Sequence, residues 1–268
     1  MAIHSQINPI AFTIGPLSVH WYGIAFAGTF VFGEWLVRRM LTSERRTDID
    51  TSRLVVYAMV GAVLGARIVH CAFYDPQYYL THPLKIFAVW EGGLASHGGV
   101  IGLILGLIVA TRKLATGTLL YLLDRITIPS AVGGAVVRLA NFINSEILGK
   151  PTESSFGVIF DSVDQIPRHP VQLYEAMCYL TLGLILYLAY ARTTVRTKPG
   201  KLLGIFLIGI FIPRLLLEFF KVPQAAYEDF MSVSVGQVLS IPFIAFGLFL
   251  IARPVSGQQN DQTKLYYR

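Results

Sequence analysis

Leu202-Leu203-Gly204-Ile205-Phe206-Leu207-Ile208-Gly209-Ile210-Phe211-Ile212-Pro213-Arg214-Leu215-Leu216-Leu217-Glu218 is apolar without alternation until its last turn, where an arginine and a carboxylate appear. It is too long for a buried strand and close to the roughly 20 residues that a helix needs to cross a bilayer. On a helix Arg214 and Glu218 stand at i and i+4, on one face, so the pair is expected to neutralise itself in part. Pro213 cannot donate to the carbonyl of Gly209 and should kink the helix there, leaving an acceptor that needs protein or water. A wet polar pocket inside a helix bundle fits this pattern better than a lipid-facing surface does. A purely structural ion pair is the competing reading.

The rest of the chain repeats the theme. Of its 268 residues, 54% are hydrophobic and only 14% charged, and the mean hydropathy is +0.57, outside the balance of a water-soluble domain. Further apolar runs begin near Trp21, Leu54, Gly98, Leu119, Val171 and Val235. The expected fold is therefore all-α: a polytopic membrane protein of about seven transmembrane helices, with small extracytoplasmic loop elements. Asp124, Arg125 and Pro129 interrupt the run from Leu119, which keeps six spans open as an alternative. The polar start, His4 to Pro9, lacks the cationic opening and small-residue cleavage site of a signal peptide, so the first run reads as a retained span. No linker or low-complexity tract divides the chain, and residues 1–268 are expected to form a single integral-membrane domain ending in a polar cytoplasmic tail, 253–268. Cys71 and Cys178 lie in apolar runs without metal-ligand spacing and read as buried thiols.

Basic residues give the expected orientation. With the N-terminus outside, cytoplasmic segments hold fourteen of the 22 Lys and Arg, among them Arg38, Arg39, Arg45, Arg46 and Arg53. The outer loops hold only Lys85, Lys150, Arg168 and Lys221. An N-out, C-in protein follows. The net charge of +6 then reflects anchoring at the inner leaflet, with no basic patch interleaved with aromatics that would fit nucleic acid.

Function is to be sought in the polar residues that apolar helices carry despite their cost. An arginine near the bilayer centre costs roughly 2.5–3.5 kcal/mol, so Arg67, Arg138 and Arg214 left unpaired would together cost about 10 kcal/mol, which rivals the whole stability of a domain. For Arg67 the plainer reading is a side chain that snorkels or locks two helices. Arg138 sits in Val137-Arg138-Leu139-Ala140-Asn141-Phe142-Ile143-Asn144-Ser145-Glu146, where Arg138, Asn141 and Ser145 would share a helical face. Asn144 and Glu146 would fall where the helix ends, ahead of the Gly149-Lys150-Pro151 turn. A guanidinium flanked by amides suits a phosphodiester headgroup; helix-end capping by the asparagines is the alternative. A third segment, Glu91-Gly92-Gly93-Leu94-Ala95-Ser96-His97-Gly98-Gly99-Val100-Ile101-Gly102, places His97 at a helix start, where free amides favour an anion and the neutral imidazole. Gly98, Gly102 and Gly106 form small-xxx-small steps that admit a neighbouring helix. A histidine in this place also serves as a cap or an interface residue.

These motifs, in this order, resemble the prolipoprotein diacylglyceryl transferase family over nearly the whole chain. The resemblance also rests on His20-Trp21-Tyr22-Gly23, on Arg168-His169-Pro170-Val171-Gln172-Leu173-Tyr174-Glu175 and on Gly236-Gln237-Val238-Leu239-Ser240-Ile241-Pro242. It implies a multi-pass enzyme of the bacterial plasma (inner) membrane that moves the diacylglyceryl group of phosphatidylglycerol onto the lipobox cysteine of a prolipoprotein. A thioether forms and glycerol phosphate leaves. The implied partners are phosphatidylglycerol, the prolipoprotein signal peptide with its lipobox Cys and the bilayer; no metal or organic cofactor is expected.

The family's important positions fall on Tyr22, His97, Arg138, Asn141, Asn144, Glu146, Gly149, Arg214 and Glu218. In the expected division of labour Arg138 binds the headgroup, with Tyr22, Asn141, Asn144, Glu146 and Gly149 forming the rest of the phosphatidylglycerol site. Arg214 stabilises charge in the transition state, Glu218 orients Arg214, and His97 activates the thiol. The chain departs from many relatives at Val137 and Ala140, where they have glycine, at Ser96, where others carry an aromatic residue, and at Ile210, where others carry tyrosine. A transporter and a non-catalytic lipoprotein chaperone are the readings from other classes. The first often shows an internal repeat, which is not evident here, and the second has no need of paired arginines.

Overall fold

The computed structural model describes residues 3–15, 17–89, 92–114, 118–222 and 234–254. Glu91 and the tail from 255 onward, both singled out above, lie outside the described residues. In chain order the elements are β1 (Ile3–Ser5), β2 (Ile10–Ile14), β3 (Leu17–His20), α1 (Trp21–Ser43), α2 (Thr51–Phe73), α3 (Pro76–Thr81), α4 (Ser96–Lys113), α5 (Leu119–Ile143), β4 (Val158–Phe160), α6 (Val171–Arg192), α7 (Lys201–Leu217) and α8 (Val235–Ala252). The chain is mostly helical but not all-α. Two small sheets correct that expectation: β1 pairs with β4 in parallel, and β2 with β3 as an antiparallel hairpin. The all-α reading missed them because strands of three to five residues carry too little alternation to stand out.

Four helical stretches, Thr51–Phe73, Leu119–Ile143, Val171–Arg192 and Lys201–Phe220, are long and apolar enough to cross a membrane, and Gly236–Ala252 is a shorter apolar helix. Leu64, Ile68, Leu184, Ile185 and Leu216 on these helices are exposed, with nothing of the protein over them. Such surface is stable only in an apolar medium, and the protein is a membrane protein.

The residues fall into two compact units. In the unit made by 33–122, α2 and α4 pack closely. A Cβ added at Gly98 or Gly102 would run into the backbone oxygens of Gly65 and Gly61, and one at Gly106 into that of Tyr57. The predicted small-residue steps on α4 thus meet matching glycines on α2. Arg67, only 3% exposed, donates to the carbonyls of Lys85, Ile86, Ala88, Gly92 and Gly93, and its guanidinium lies 5.1 Å from the Tyr79 ring centre. It neither snorkels nor locks two helices. It gathers the segment between α3 and α4 through five of that segment's backbone carbonyls.

In the other unit, residues up to 32 and from 123 onward, α7 packs against both α6 and α8. Asp124 of α5, fully buried, accepts from the backbone amides of Gly200 and Leu203 at 2.6 and 2.8 Å and so caps the start of α7. The charge that weakened the fourth run as a span is therefore consumed as a cap. Ser234 and Gln237 close a capping box at the start of α8. α7 runs through Pro213 and stops at Leu217, where a 3-10 turn, Glu218–Phe220, takes over. Beyond α5, a small head is built on β1 and β4; β4 is wholly buried, and Arg168 ties its own segment to Asp164 and to the Gly149 carbonyl. Cys71 is buried, Cys178 half-buried, and both are free.

Candidate functional site

α5 ends at Ile143, and the next residues fold back on it. Asn144 N donates to Ala140 O and Glu146 N to Asn141 O, with Ser145 and Ile147 in the left-handed region at φ 55°. This reversal brings the Glu146 carboxylate over the helix end. Asn141 Nδ2 donates to Glu146 Oε2 at 2.8 Å and Asn144 Nδ2 to Glu146 Oε1 at 3.2 Å. The asparagine side chains thus hold a carboxylate and do not cap the helix. Ser145 has left the face of Arg138 and accepts a hydrogen bond from Ser162 in the head.

Arg138 is fixed from several sides. Its Nη1 donates to Asn141 Oδ1 at 3.3 Å, and its Nε lies 3.0 Å from Glu175 Oε2. Tyr22, half-buried at the start of α1, is close enough to feel both Glu146 and Arg138. Four of the expected residues (Arg138, Asn141, Asn144 and Glu146) therefore form one connected polar group, with Tyr22 near it.

Arg214 and Glu218 do not pair. Helix α7 ends between them, and Glu218 turns to Lys221, whose Nζ is 3.1 Å from Glu218 Oε2 and 2.9 Å from Glu175 Oε1. The side chains do not make the expected pair: the Glu218 amide keeps the i,i+4 bond to the Arg214 carbonyl, but its carboxylate goes to Lys221. Arg214 makes no hydrogen bond or ion pair among the described residues; it is half-buried and near enough to Tyr179 to act on it. Gly149 sits opposite Lys221 in an antiparallel bridge, and Lys150 N donates to Phe220 O at 2.7 Å. A Cβ at Gly149 would strike the His169 carbonyl, so glycine is what lets three chain segments meet there. His97, by contrast, belongs to the 33–122 unit, where it is an exposed second residue of α4.

The family profile described as prolipoprotein diacylglyceryl transferase matches residues 9–253. The chain belongs to the prolipoprotein diacylglyceryl transferase family. It is 46% identical to a phosphatidylglycerol–prolipoprotein diacylglyceryl transferase of Tolumonas auensis over 91% of this chain and 94% of that protein. It is 44% identical to the Chloroherpeton thalassium enzyme of the same name, over 96% of each. Identity to the one from Porphyromonas gingivalis is 39%, over 94% of each.

Two residues central to this family member's charged network were not picked out as site residues from the sequence. Glu175, with no exposed surface, bridges Arg138 and Lys221, and the Lys221 side chain is only 4% exposed. Both had been on view, Glu175 as the end of a matched motif and Lys221 as a basic residue counted to an outer loop. The available signal was a carboxylate four residues into an apolar span with no neighbour in its own helix to neutralise it. Gln172, equally buried, donates to the Glu146 carbonyl at 2.6 Å and fastens the same corner.

Proposed function

We propose that this protein is a phosphatidylglycerol–prolipoprotein diacylglyceryl transferase of the bacterial inner membrane, a single seven-span domain with its N-terminus outside and its C-terminus in the cytoplasm. The thiolate of the lipobox cysteine attacks the glyceryl carbon that carries the phosphate. A sulfur–carbon bond forms, the carbon–oxygen bond breaks, and glycerol phosphate leaves with the electron pair. His97 takes the thiol proton, which matters because a thiol with pKa near 8.5 is only a few per cent thiolate at neutral pH. Arg138 grips the headgroup phosphate, with Tyr22, Asn141, Asn144, Glu146 and Gly149 shaping the site around it. Arg214 stabilises the charge that gathers on the departing phosphate, while Glu218 acts through Lys221 and Glu175 to hold the charged network.

The observation that carries this reading is the contrast between the two arginines. One guanidinium is held by a carboxylate and an amide; the other is half-buried and has no partner among the described residues. An unneutralised guanidinium in an apolar helix is expensive, and an anionic headgroup removes that cost when it binds.

The test is an assay of purified protein in detergent with phosphatidylglycerol and a lipobox peptide, following peptide mass and glycerol phosphate release. A diacylglyceryl mass gain is expected that disappears with a Cys→Ser peptide. Arg138→Lys should lower kcat/KM at least about tenfold, since lysine keeps the charge but loses the bidentate fork. Absence of any mass gain from folded wild-type protein would sink the reading.

A further inference from the structure

Glu146 draws in three amide side chains. Asn141 Nδ2 and Asn144 Nδ2 donate to its carboxylate at 2.8 and 3.2 Å, and Gln172 Nε2 donates to its main-chain carbonyl at 2.6 Å. Those oxygens can only accept, so the nitrogen of every amide must face Glu146 and its own oxygen must point elsewhere. The Asn141 oxygen takes a hydrogen from Arg138. The other two take none: Asn144 Oδ1 and Gln172 Oε1 are both buried, and neither has a hydrogen-bond partner among the described residues.

A buried carbonyl oxygen without a donor is costly, and native proteins leave few of them. Two in one corner, anchored on the same residue, are a surplus of acceptors with a fixed geometry. Gln172, which has no exposed surface, stands one turn before Glu175 on α6, and Glu175 meets Arg138. The surplus is thus linked, through Asn141 and Glu146 on one side and through α6 on the other, to the cation assigned to the headgroup phosphate. Glu146 itself is exposed, which leaves the corner open on one side. An anion that carries neutral hydrogen-bond donors a few bonds away would satisfy both the cation and the oxygens. A phosphoglyceryl group has that chemistry, because its phosphate is followed by a carbon chain with two hydroxyls, each with one hydrogen to give.

We propose that Gln172 is a substrate-binding residue, and that its carbonyl and that of Asn144 accept hydrogen bonds from the two hydroxyls of a phosphoglyceryl group whose phosphate Arg138 holds. The proposal rests on the reading of Arg138 and of phosphatidylglycerol given above, and it adds the residue that selects a glycerol headgroup. The phosphoglyceryl group is common to the lipid and to glycerol phosphate.

The lipid probe is phosphatidylpropanol, which keeps the phosphodiester and the carbon chain but lacks both hydroxyls. Purified full-length protein should use phosphatidylglycerol with a kcat/KM about a hundredfold above that for phosphatidylpropanol, because a site built to bond a hydroxyl rejects the analogue without it. Gln172→Met should bring that ratio to about tenfold or below. A purely structural role would lower both rates and leave the ratio unchanged; that result overturns the proposal, as does a wild-type ratio near one. Should Gln172→Met unfold, Gln172→Asn withdraws the carbonyl by one carbon and is read in the same way. Binding of free glycerol phosphate and of propyl phosphate, measured by calorimetry, separates the two sources. A Gln172-dependent preference shown only by the lipids places the contact on the diester, and one shown only by the free phosphates places it on the leaving monoester; either supports the hydroxyl contact. Ethanolamine phosphate binding more tightly than glycerol phosphate would put an ammonium in the corner and overturn the assignment. Wild-type protein that makes no thioether product would instead defeat the transferase reading itself, whereas the free phosphates test the corner without turnover.

Discussion

Glu175 is the residue on which the charged network turns. It is fully buried, and one carboxylate meets both Arg138 and Lys221. Removing a charge from a buried pair leaves its partners uncompensated and costs on the order of 3–5 kcal/mol. Glu175→Gln is therefore expected to lower the thermal unfolding midpoint of the detergent-solubilised protein markedly and to abolish turnover. Lys221→Met in the Glu175→Gln background should lower the midpoint further, because Lys221 keeps Glu218 as a counter-ion and its loss strands that carboxylate. Recovery in the double variant would show that Lys221 depends on Glu175 alone. Arg214 behaves differently at this scale, since among the described residues it has no partner to lose.

Among the elements, the α2–α4 crossing is the tightest that glycine permits. Gly61 and Gly65 face Gly102 and Gly98 with backbone against backbone, so no side chain can move aside for an added group. Gly102→Leu is expected to destabilise the 33–122 unit by about 1–3 kcal/mol, read as a lower melting temperature and as loss of hydrogen-exchange protection on both helices. The head responds to pH instead. The Arg168 guanidinium holds the Asp164 carboxyl below the ordinary aspartate value, and His4 and Gln6 do the same for Asp161. A depressed pKa means that the unfolded form binds the proton more tightly. The stabilisation is thus complete above about pH 4 and is lost as the pH falls through the depressed values. Amide protection around β4, corrected for the intrinsic exchange rate, should fall as the pH drops from about 4 to about 2, and Asp164→Asn should remove part of that difference.

For the whole molecule the open question is topology, and the proposed N-out, C-in arrangement has a direct check. In a protein with Cys71 and Cys178 replaced by serine, a thiol at Thr47→Cys should resist a membrane-impermeant label added from outside. One at Glu153→Cys should react. The reverse pattern would overturn the orientation drawn from the basic residues.

Helix starts were readable along the chain because apolar runs and their breaks are local properties. The expected onsets near Trp21, Leu54, Gly98, Leu119, Val171, Leu202 and Val235 fall within three residues of the observed helices. The cost of burying charge, also a one-dimensional argument, pointed to Arg67, Arg138 and Arg214. What each arginine does was not legible, because partners come from other segments. Arg67 spends its donors on a loop of its own unit, and the Glu218 carboxylate goes to Lys221, not to Arg214. Asp124, read as an interruption, became a cap for a helix about eighty residues further on. Apolar burial and helical periodicity are set by neighbours in sequence. The pairing of buried charges is set by which helices pack together, and only the tertiary structure decides that.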